Sequence, residues 1–359
     1  MTETRKIILT GTHLTPAIEL INQLKADKDI DWEIHYIGRI LNSSVSRQPS
    51  IESKIIPELK IKFYGINCGK FDRRWLPNTL RGLPQIYSGF KEAYRLLKKI
   101  KPHLVVSFGG YVSVPVIIAA SIQKITSLTH EQTQTLSLAT RINALFCRYV
   151  ALSFPLKTTS SKYLVTGNLL RREIFNSHSK EFEKEKIDLK KFPLLFFTAG
   201  NQGSHHLNLV LKSLLPKLSL KYTIIHQCGQ KDYSILKKIS SKYPHYFVKD
   251  YIGTLDIGWV FHHCRVIISR AGANTIQEIE ALKLFSIIIP LPVSQQDEQL
   301  KNALWLQKKS PKNTIIIKDA DITEEKLIKS IKTLASKKRK STSKSASPNL
   351  RLLKLIKRL

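Results

Sequence analysis

Short apolar runs of strand type, each leaving through a small-residue loop into a helical stretch, recur along most of the chain. No other feature limits its possible folds so strongly. Such alternation builds parallel sheets covered by helices, because each return to the same sheet edge needs a crossover. The first half runs RKIILTGTHLTPAIELINQL, WEIHYIG, IKFYGI, HLVVSFGG, a helical VPVIIAASIQ and SLTHEQ. The pattern pauses at YLVTGN, residues 163–168, then resumes with PLLFFTAGNQG, YTIIHQCG, YFVKDYIG, RVIISRAGAN, FSIIIPLP and NTIIIKD. This predicts an α/β protein of two doubly wound domains, 1–168 and 169–335, with a basic linker and a C-terminal amphipathic helix over 336–359. A length of 359 residues also exceeds one ordinary core.

Ligands of open parallel sheets bind beyond the carboxyl ends of the strands. The exits to inspect are therefore TGTH, FGGY, HEQT, AGNQG, SRAG and PVSQQDEQ. In ISRAGANTIQEIEAL, residues 268–282, Gly272 is expected to take unusual backbone angles, and Ala273 keeps the turn uncluttered. Amides at the new helix start are then open to an anion. Glu278, about one and a half turns on, suits the vicinal hydroxyls of a ribose. AGNQG offers more amides together with Asn201 and Gln202, but it is neither a P-loop nor a GxGxxG fingerprint. In the first half, Gly109 and Gly110 let a headgroup approach the backbone, while Tyr111 and Ser113 supply hydroxyls. His13 sits where the first strand meets the first helix, and an imidazole there can take a proton from an attacking hydroxyl. His130 and Glu131 leave another strand on the same predicted edge.

The formal charge of +31, from 58 basic and 27 acidic residues, favours an anionic partner without choosing among nucleic acid, membrane and phosphorylated substrate. Lysine-rich codon usage raises the same number. The chain lacks any aromatic-and-basic RNA signature, so no specific nucleic-acid partner is expected. Four scattered cysteines suit a reducing compartment, and the HHC triplet at 262–264 reads as a strand edge. Of the two DxD triplets, Asp29 to Asp31 lies in a charged loop and Asp319 to Asp321 resembles a helix N-cap, so neither reads as a metal clamp. No metal or cofactor is expected. Neither a membrane-spanning run nor a secretory signal is evident, so the chain is expected inside the cell.

Taken in order, GGYVSVP, HEQT, TGNLLRREIF, AGNQG, YIGTLDI, SRAGANTIQEI and DEQLKNA resemble the MurG family of peptidoglycan N-acetylglucosaminyltransferases over nearly the whole chain. The resemblance implies a GT-B fold, two doubly wound Rossmann-like domains with a cleft between them. It also implies UDP-N-acetylglucosamine as donor and lipid I, the undecaprenyl-diphosphate muramyl pentapeptide, as acceptor, with lipid II formed peripherally at the cytoplasmic side of the cell membrane. By the same resemblance Arg171 and Asn201 lie near the donor and the Ile252 backbone meets uracil. Gly272, Ala273, Asn274 and Thr275 face the diphosphate, Glu278 the ribose and Gln299 the sugar. His13, Thr12, Tyr111 and the HEQT residues His130, Glu131 and Thr133 belong to the acceptor side. Where the family usually carries GGTGGH, this chain reads ILTGTH and keeps only Gly11 before His13.

The stretch KFDRRWLPNTLRGLPQIY, residues 70–87, mixes Trp75, Leu76, Leu80 and Leu83 with Lys70, Arg73, Arg74 and Arg81, a composition suited to an anionic membrane surface. The terminal LRLLKLIKRL suits either that surface or packing back on the first domain. The rival functions are a UDP-sugar 2-epimerase or hydrolase on the same plan, or another lipid-directed glycosyltransferase.

Overall fold

The computed structural model describes residues 3–41, 49–68, 76–179, 181–184, 187–200, 202–293, 297–338 and 349–359, with backbone alone at 76–83. It divides into two compact units, Met1–Leu169 with Asn349–Leu359, and Leu170–Pro348.

Unit one contains strands β1 (Glu3–Thr10), β2 (Ile30–Arg39), β3 (Lys62–Ile66), β4 (Leu104–Ser107), β5 (Thr126–Glu131), β6 (Tyr149–Leu152) and β7 (Tyr163–Val165). They form one parallel sheet in the order β3-β2-β1-β4-β5-β6-β7. Successive side chains of β1 go to opposite faces. Ile7 and Leu9 pack with Leu20, Ile21 and Leu24 of α1 (Leu14–Lys25), whereas Ile8 packs with Ala93 and Leu97 of α3 (Leu76–Ile100) and Val116 of α4 (Ser113–Ile122). Helix α2 is Ile51–Glu58. A strand buried on both faces needs apolar residues at consecutive positions, which is why these strands read as unbroken apolar runs.

Unit two repeats the plan with β8 (Leu194–Thr198), β9 (Thr223–Gln227), β10 (Tyr246–Lys249), β11 (Cys264–Ser269), β12 (Ser286–Ile288) and β13 (Thr314–Ile316), parallel in the order β10-β9-β8-β11-β12-β13. Val266 and Ile268 of β11 face Leu211, Leu214 and Leu215 of α6 (His205–Leu218). Ile267 faces Ile276 and Ile279 of α9 (Ala273–Ala281). The HHC triplet closes α8 (Thr254–His263): His263 Nδ1 bonds the Trp259 carbonyl at 2.8 Å, and the Cys264 thiol lies 3.5 Å from that of Phe261.

The chain ends in α12 (Arg351–Lys357), whose Leu352, Leu353 and Ile356 enter the core of unit one. Asn349 Nδ2 donates to the carbonyls of Thr166 (2.6 Å) and Asn168 (3.1 Å), and Lys357 Nζ donates to Asp27 Oδ1 at 2.8 Å. The apolar face of this helix is thus spent inside the protein. Ile356 is wholly buried, so Ile356→Ala is expected to lower the unfolding free energy of unit one by about 2–5 kcal/mol in urea titration. A loss below about 1 kcal/mol would mean that the site collapses around the cavity or that the helix adds little.

Candidate active site

In unit one the strand order reverses between β1 and β4, and the loops leaving these two strands carry TGTH and GGY. Only residues 11–13 separate β1 from α1. Gly11, at φ +134°, lies so close to the second loop that a Cβ there would stand 2.7 Å from the Gly109 carbonyl. That carbonyl accepts from Thr12 N–H at 3.1 Å, and a Cβ on Gly110 would strike Thr12 Oγ1. The glycine-short turn therefore closes directly onto the GGY loop.

A buried polar cluster holds that loop from below. Ser107 Oγ accepts from Gly109 N–H (3.1 Å), from the Thr129 hydroxyl (3.2 Å) and from Asn143 Nδ2 (3.1 Å), which also reaches Ser113 Oγ (3.0 Å). Asn143 belongs to α5 (Leu138–Phe146) and is fully buried; sequence reasoning passed over it because an Asn inside an amphipathic helix carries no distinguishing signal.

His13 forms the N-cap position of α1 but caps nothing with its side chain, and its ring stays exposed. Desolvation by the surrounding chain pushes its pKa below the ordinary histidine value, with the Glu131 carboxylate pulling the other way. At neutral pH the ring is unprotonated and able to accept a proton. Tyr111 is half-buried. Its hydroxyl bonds Arg39, whose Nε donates to the buried Glu52 at 2.7 Å, and burial still raises the phenol pKa. The Tyr36 hydroxyl donates to the Gly11 carbonyl at 2.9 Å. Arg39, Tyr36 and Glu52 were not singled out from sequence, since nothing local marks a residue of β2 or α2 as reaching the β1 exit.

His130 and Glu131 occupy the exit of β5, yet both side chains are buried. The Nε2–H of His130 donates to the Gly167 carbonyl (3.1 Å), Nδ1 accepts from Gln132 Nε2 (3.0 Å), and burial lowers the pKa to about 4, so the ring is neutral. Burial opposes charge on Glu131. Hydrogen bonds from Thr140, the Ser137 N–H (2.9 Å) and the N–H (3.0 Å) and hydroxyl (2.9 Å) of Thr133 outweigh it and lower the pKa. Both residues are spent on shaping the HEQT loop, of which Thr133 stays half-exposed.

Unit two reverses its strand order between β8 and β11, where AGNQG and SRAGAN leave the sheet. Asn201 lies outside the described residues. Gly203, at φ +71°, leaves no room for a Cβ, which would fall 1.9 Å from the Cys228 carbonyl. Gly272 corrects the sequence expectation. Its angles, φ −64° and ψ 142°, are ordinary for any residue, and only Thr275 Oγ1 at 3.9 Å would meet a Cβ there. The missing side chain thus keeps open the space over the start of α9, whose first turn carries Ala273, Asn274 and Thr275.

Several side chains brace this turn. Gln299, on α10 (Glu298–Lys309), accepts through Oε1 from the N–H groups of Ala271 (3.2 Å) and Leu291 (3.1 Å), and Asn302 Nδ2 donates to the Ala271 carbonyl (3.1 Å). Arg270 is buried and ties four exits together. It reaches the Ile289 carbonyl (3.2 Å), the Pro290 carbonyl (3.4 Å), Ser204 Oγ (3.1 Å) and the carboxylate of Asp319. His206 Nδ1 lies 3.1 Å from the other Asp319 oxygen. Asp319 is therefore no helix cap; Thr323 caps α11 (Glu324–Ala335), accepting from Lys326 N–H at 3.2 Å. The Arg within SRAG was the available clue.

Glu278, only 2% exposed, meets Arg171 across more than a hundred residues of chain, with Arg171 Nε at 2.9 Å and Nη2 at 2.8 Å from the same oxygen, Oε1. Burial raises the Glu278 pKa while Arg171 opposes the rise. Ile252 is buried, and its N–H reaches Gln227 Oε1 at a long 3.4 Å.

Two domain models match the chain, glycosyltransferase family 28 N-terminal domain over residues 8–152 and C-terminal domain over 194–359. The chain belongs to glycosyltransferase family 28. A Clostridium perfringens relative, UDP-N-acetylglucosamine--N-acetylmuramyl-(pentapeptide) pyrophosphoryl-undecaprenol N-acetylglucosamine transferase, is 32% identical over 93% of this chain and 91% of its own length. The crystal structure of Acinetobacter baumannii MurG superposes with a TM-score of 0.71 at 22% identity, covering 99% of this chain and 100% of that one. A UDP-GlcNAc 2-epimerase from Methanocaldococcus jannaschii shares the fold, with a TM-score of 0.64 at 16% identity over 99% of each chain. This family 28 chain accordingly has the GT-B architecture.

Removing the guanidinium that joins these exits leaves the Asp319 carboxylate without its main partner. Arg270→Ala is expected to destabilise unit two by about 3–5 kcal/mol in chemical denaturation. A change under about 1 kcal/mol would place the pair among solvent-screened surface contacts.

Proposed function

We propose that this protein transfers N-acetylglucosamine from UDP-N-acetylglucosamine to the muramyl 4-hydroxyl of lipid I, with inversion, giving lipid II. The observation that carries this reading is the 32% identity over 93% of the chain to a transferase of that name. Unit two supplies the donor side. The amides of Gly272, Ala273, Asn274 and Thr275 meet the diphosphate, Glu278 the ribose, and Gln299 with Asn201 the remainder of the nucleotide sugar. The Ile252 backbone meets uracil, exchanging its long bond to Gln227 for one to the base.

Unit one supplies the acceptor side through Thr12, Tyr111 and Thr133, with His130 and Glu131 holding the loop in shape. His13 takes the proton as the 4-oxygen attacks the anomeric carbon. The bond from that carbon to the β-phosphate oxygen breaks, and UDP leaves with the electron pair. Charge developing on the leaving phosphate falls on preorganised amides, and one in-line displacement inverts the carbon.

The acceptor is a lipid, so peripheral binding at the cytoplasmic face of the membrane completes the reading. Among the described residues no helix is long and apolar enough to cross a bilayer. Residues 69–75 and the side chains of 76–83 lie outside the described set, but Tyr87 just beyond is exposed. Cations near an anionic surface contribute on the order of 1 kcal/mol each.

Incubation with radiolabelled UDP-N-acetylglucosamine and lipid I tests the reaction: label is expected in the lipid phase. Release of free or 2-epimerised sugar, independent of lipid I, would instead support the epimerase or hydrolase. His13→Asn is expected to lower kcat by about 10²–10⁴-fold with the donor KM little changed. Because the depressed pKa keeps His13 unprotonated at neutrality, kcat/KM should be flat from pH 7 upward and decline only below the ordinary histidine value of 6.5. An acid limb centred above that value would remove His13 as the base.

A further inference from the structure

Glu278 is nearly inaccessible, and both Arg171 contacts go to one of its oxygens, Oε1, leaving Oε2 without a hydrogen bond among the described residues. We infer that Arg171 is a positioning residue that acts through Glu278 and not through the phosphates: it grips Oε1 and thereby presents Oε2 to the ribose hydroxyls of a uridine nucleotide. This inference rests on the donor site proposed above and gives a task to Arg171, which the family resemblance only places near the donor.

Three observations support it. A carboxylate this deeply buried favours its neutral form, and the opposing influence on Glu278 comes from Arg171. Ionised, the carboxylate accepts charge-assisted bonds from hydroxyls; neutral, it loses most of that strength. The guanidinium is also spent: desolvation disfavours its charge, and the compensating attraction comes first from Glu278, then from Tyr251 and Glu173. Finally, the backbone carrying Arg171 is locked. It enters a 3-10 turn, Arg172–Phe175, whose Ile174 is wholly buried, and α8 presses on that turn so closely that a Cβ on Gly258 would stand 2.1 Å from the Glu173 carbonyl and 2.2 Å from that of Asn176. An arginine held this rigidly on a single carboxylate oxygen sets the direction of the other.

Calorimetric binding of UDP, uridine and 2′,3′-dideoxy-UDP to the full chain and to Arg171→Met, Glu278→Gln and the double variant tests the assignment. The unsubstituted protein is expected to prefer UDP to the dideoxy analogue. Arg171→Met should weaken UDP and uridine by one common factor of about 10–100 and abolish that preference. In the Glu278→Gln background, adding Arg171→Met should cost less than about twofold further, a non-additivity that a general structural role would not produce. The double variant replaces the buried pair with neutral groups and keeps the test available if a single variant folds poorly. If Arg171→Met weakens UDP but not uridine, or retains the preference for ribose hydroxyls, the inference fails while the donor site stands. A lack of ribose preference in the unsubstituted protein would overturn the Glu278 assignment and this inference together.

Discussion

In a parallel sheet every strand delivers its chain to the same edge, so loops crowd that edge except where neighbouring strands send their connections to opposite sides. β1 and β4 do so in unit one, and β8 and β11 in unit two. Each gap is flanked by small residues: Gly11 against Gly109 and Gly110 in unit one, and Gly200 at the exit of β8 with Ala271 and Gly272 at the exit of β11 in unit two. The chemistry assigned to this protein depends on those two gaps, because only there can a ligand reach main-chain amides and helix starts at once.

The two gaps solve different problems with the same element. In unit one the glycines bring two loops into contact: at Gly11 and Gly110 any Cβ would collide with the facing loop. In unit two Gly272 touches almost nothing, so its role is to leave room. The difference explains how the β1 exit closes with a single glycine before His13. Short and pinned by Thr12 to Gly109, it needs no further freedom.

Burial against charge is the recurring tension around both gaps. Hydrogen bonds from Thr133, Ser137 and Thr140 outweigh burial at Glu131, burial outweighs the pull of Arg171 at Glu278, and the Asp319 carboxylate is held between Arg270 and His206. Glu131 and Asp319 are spent on geometry, whereas Glu278 keeps one oxygen, Oε2, outside the Arg171 contact. Among the residues marked from sequence, His130 and Glu131 turn out to be loop supports, whereas His13, Tyr111 and Thr133 keep surface available.

The alternation of strand and helix, the twin doubly wound plan and the positions of the glycine exits were readable from the one-dimensional pattern, because apolar runs and small-residue exits are local consequences of being a doubly buried strand with a crossover; the strand order, and with it the two switch points, came only from the pairing in the sheets. His13 and Glu278 were readable for the same reason, since their place relative to an exit is a matter of counting. The pairing of Arg171 with Glu278, the reach of Arg270 to four exits, the Asn143 cluster and the burial of α12 were not. Each joins segments far apart in the chain, and which side chains meet depends on how sheet and helices pack. Even the angles of Gly272 followed that rule: the residue type announced an open turn, but whether glycine was needed for conformation or for space was settled only by what packs around it.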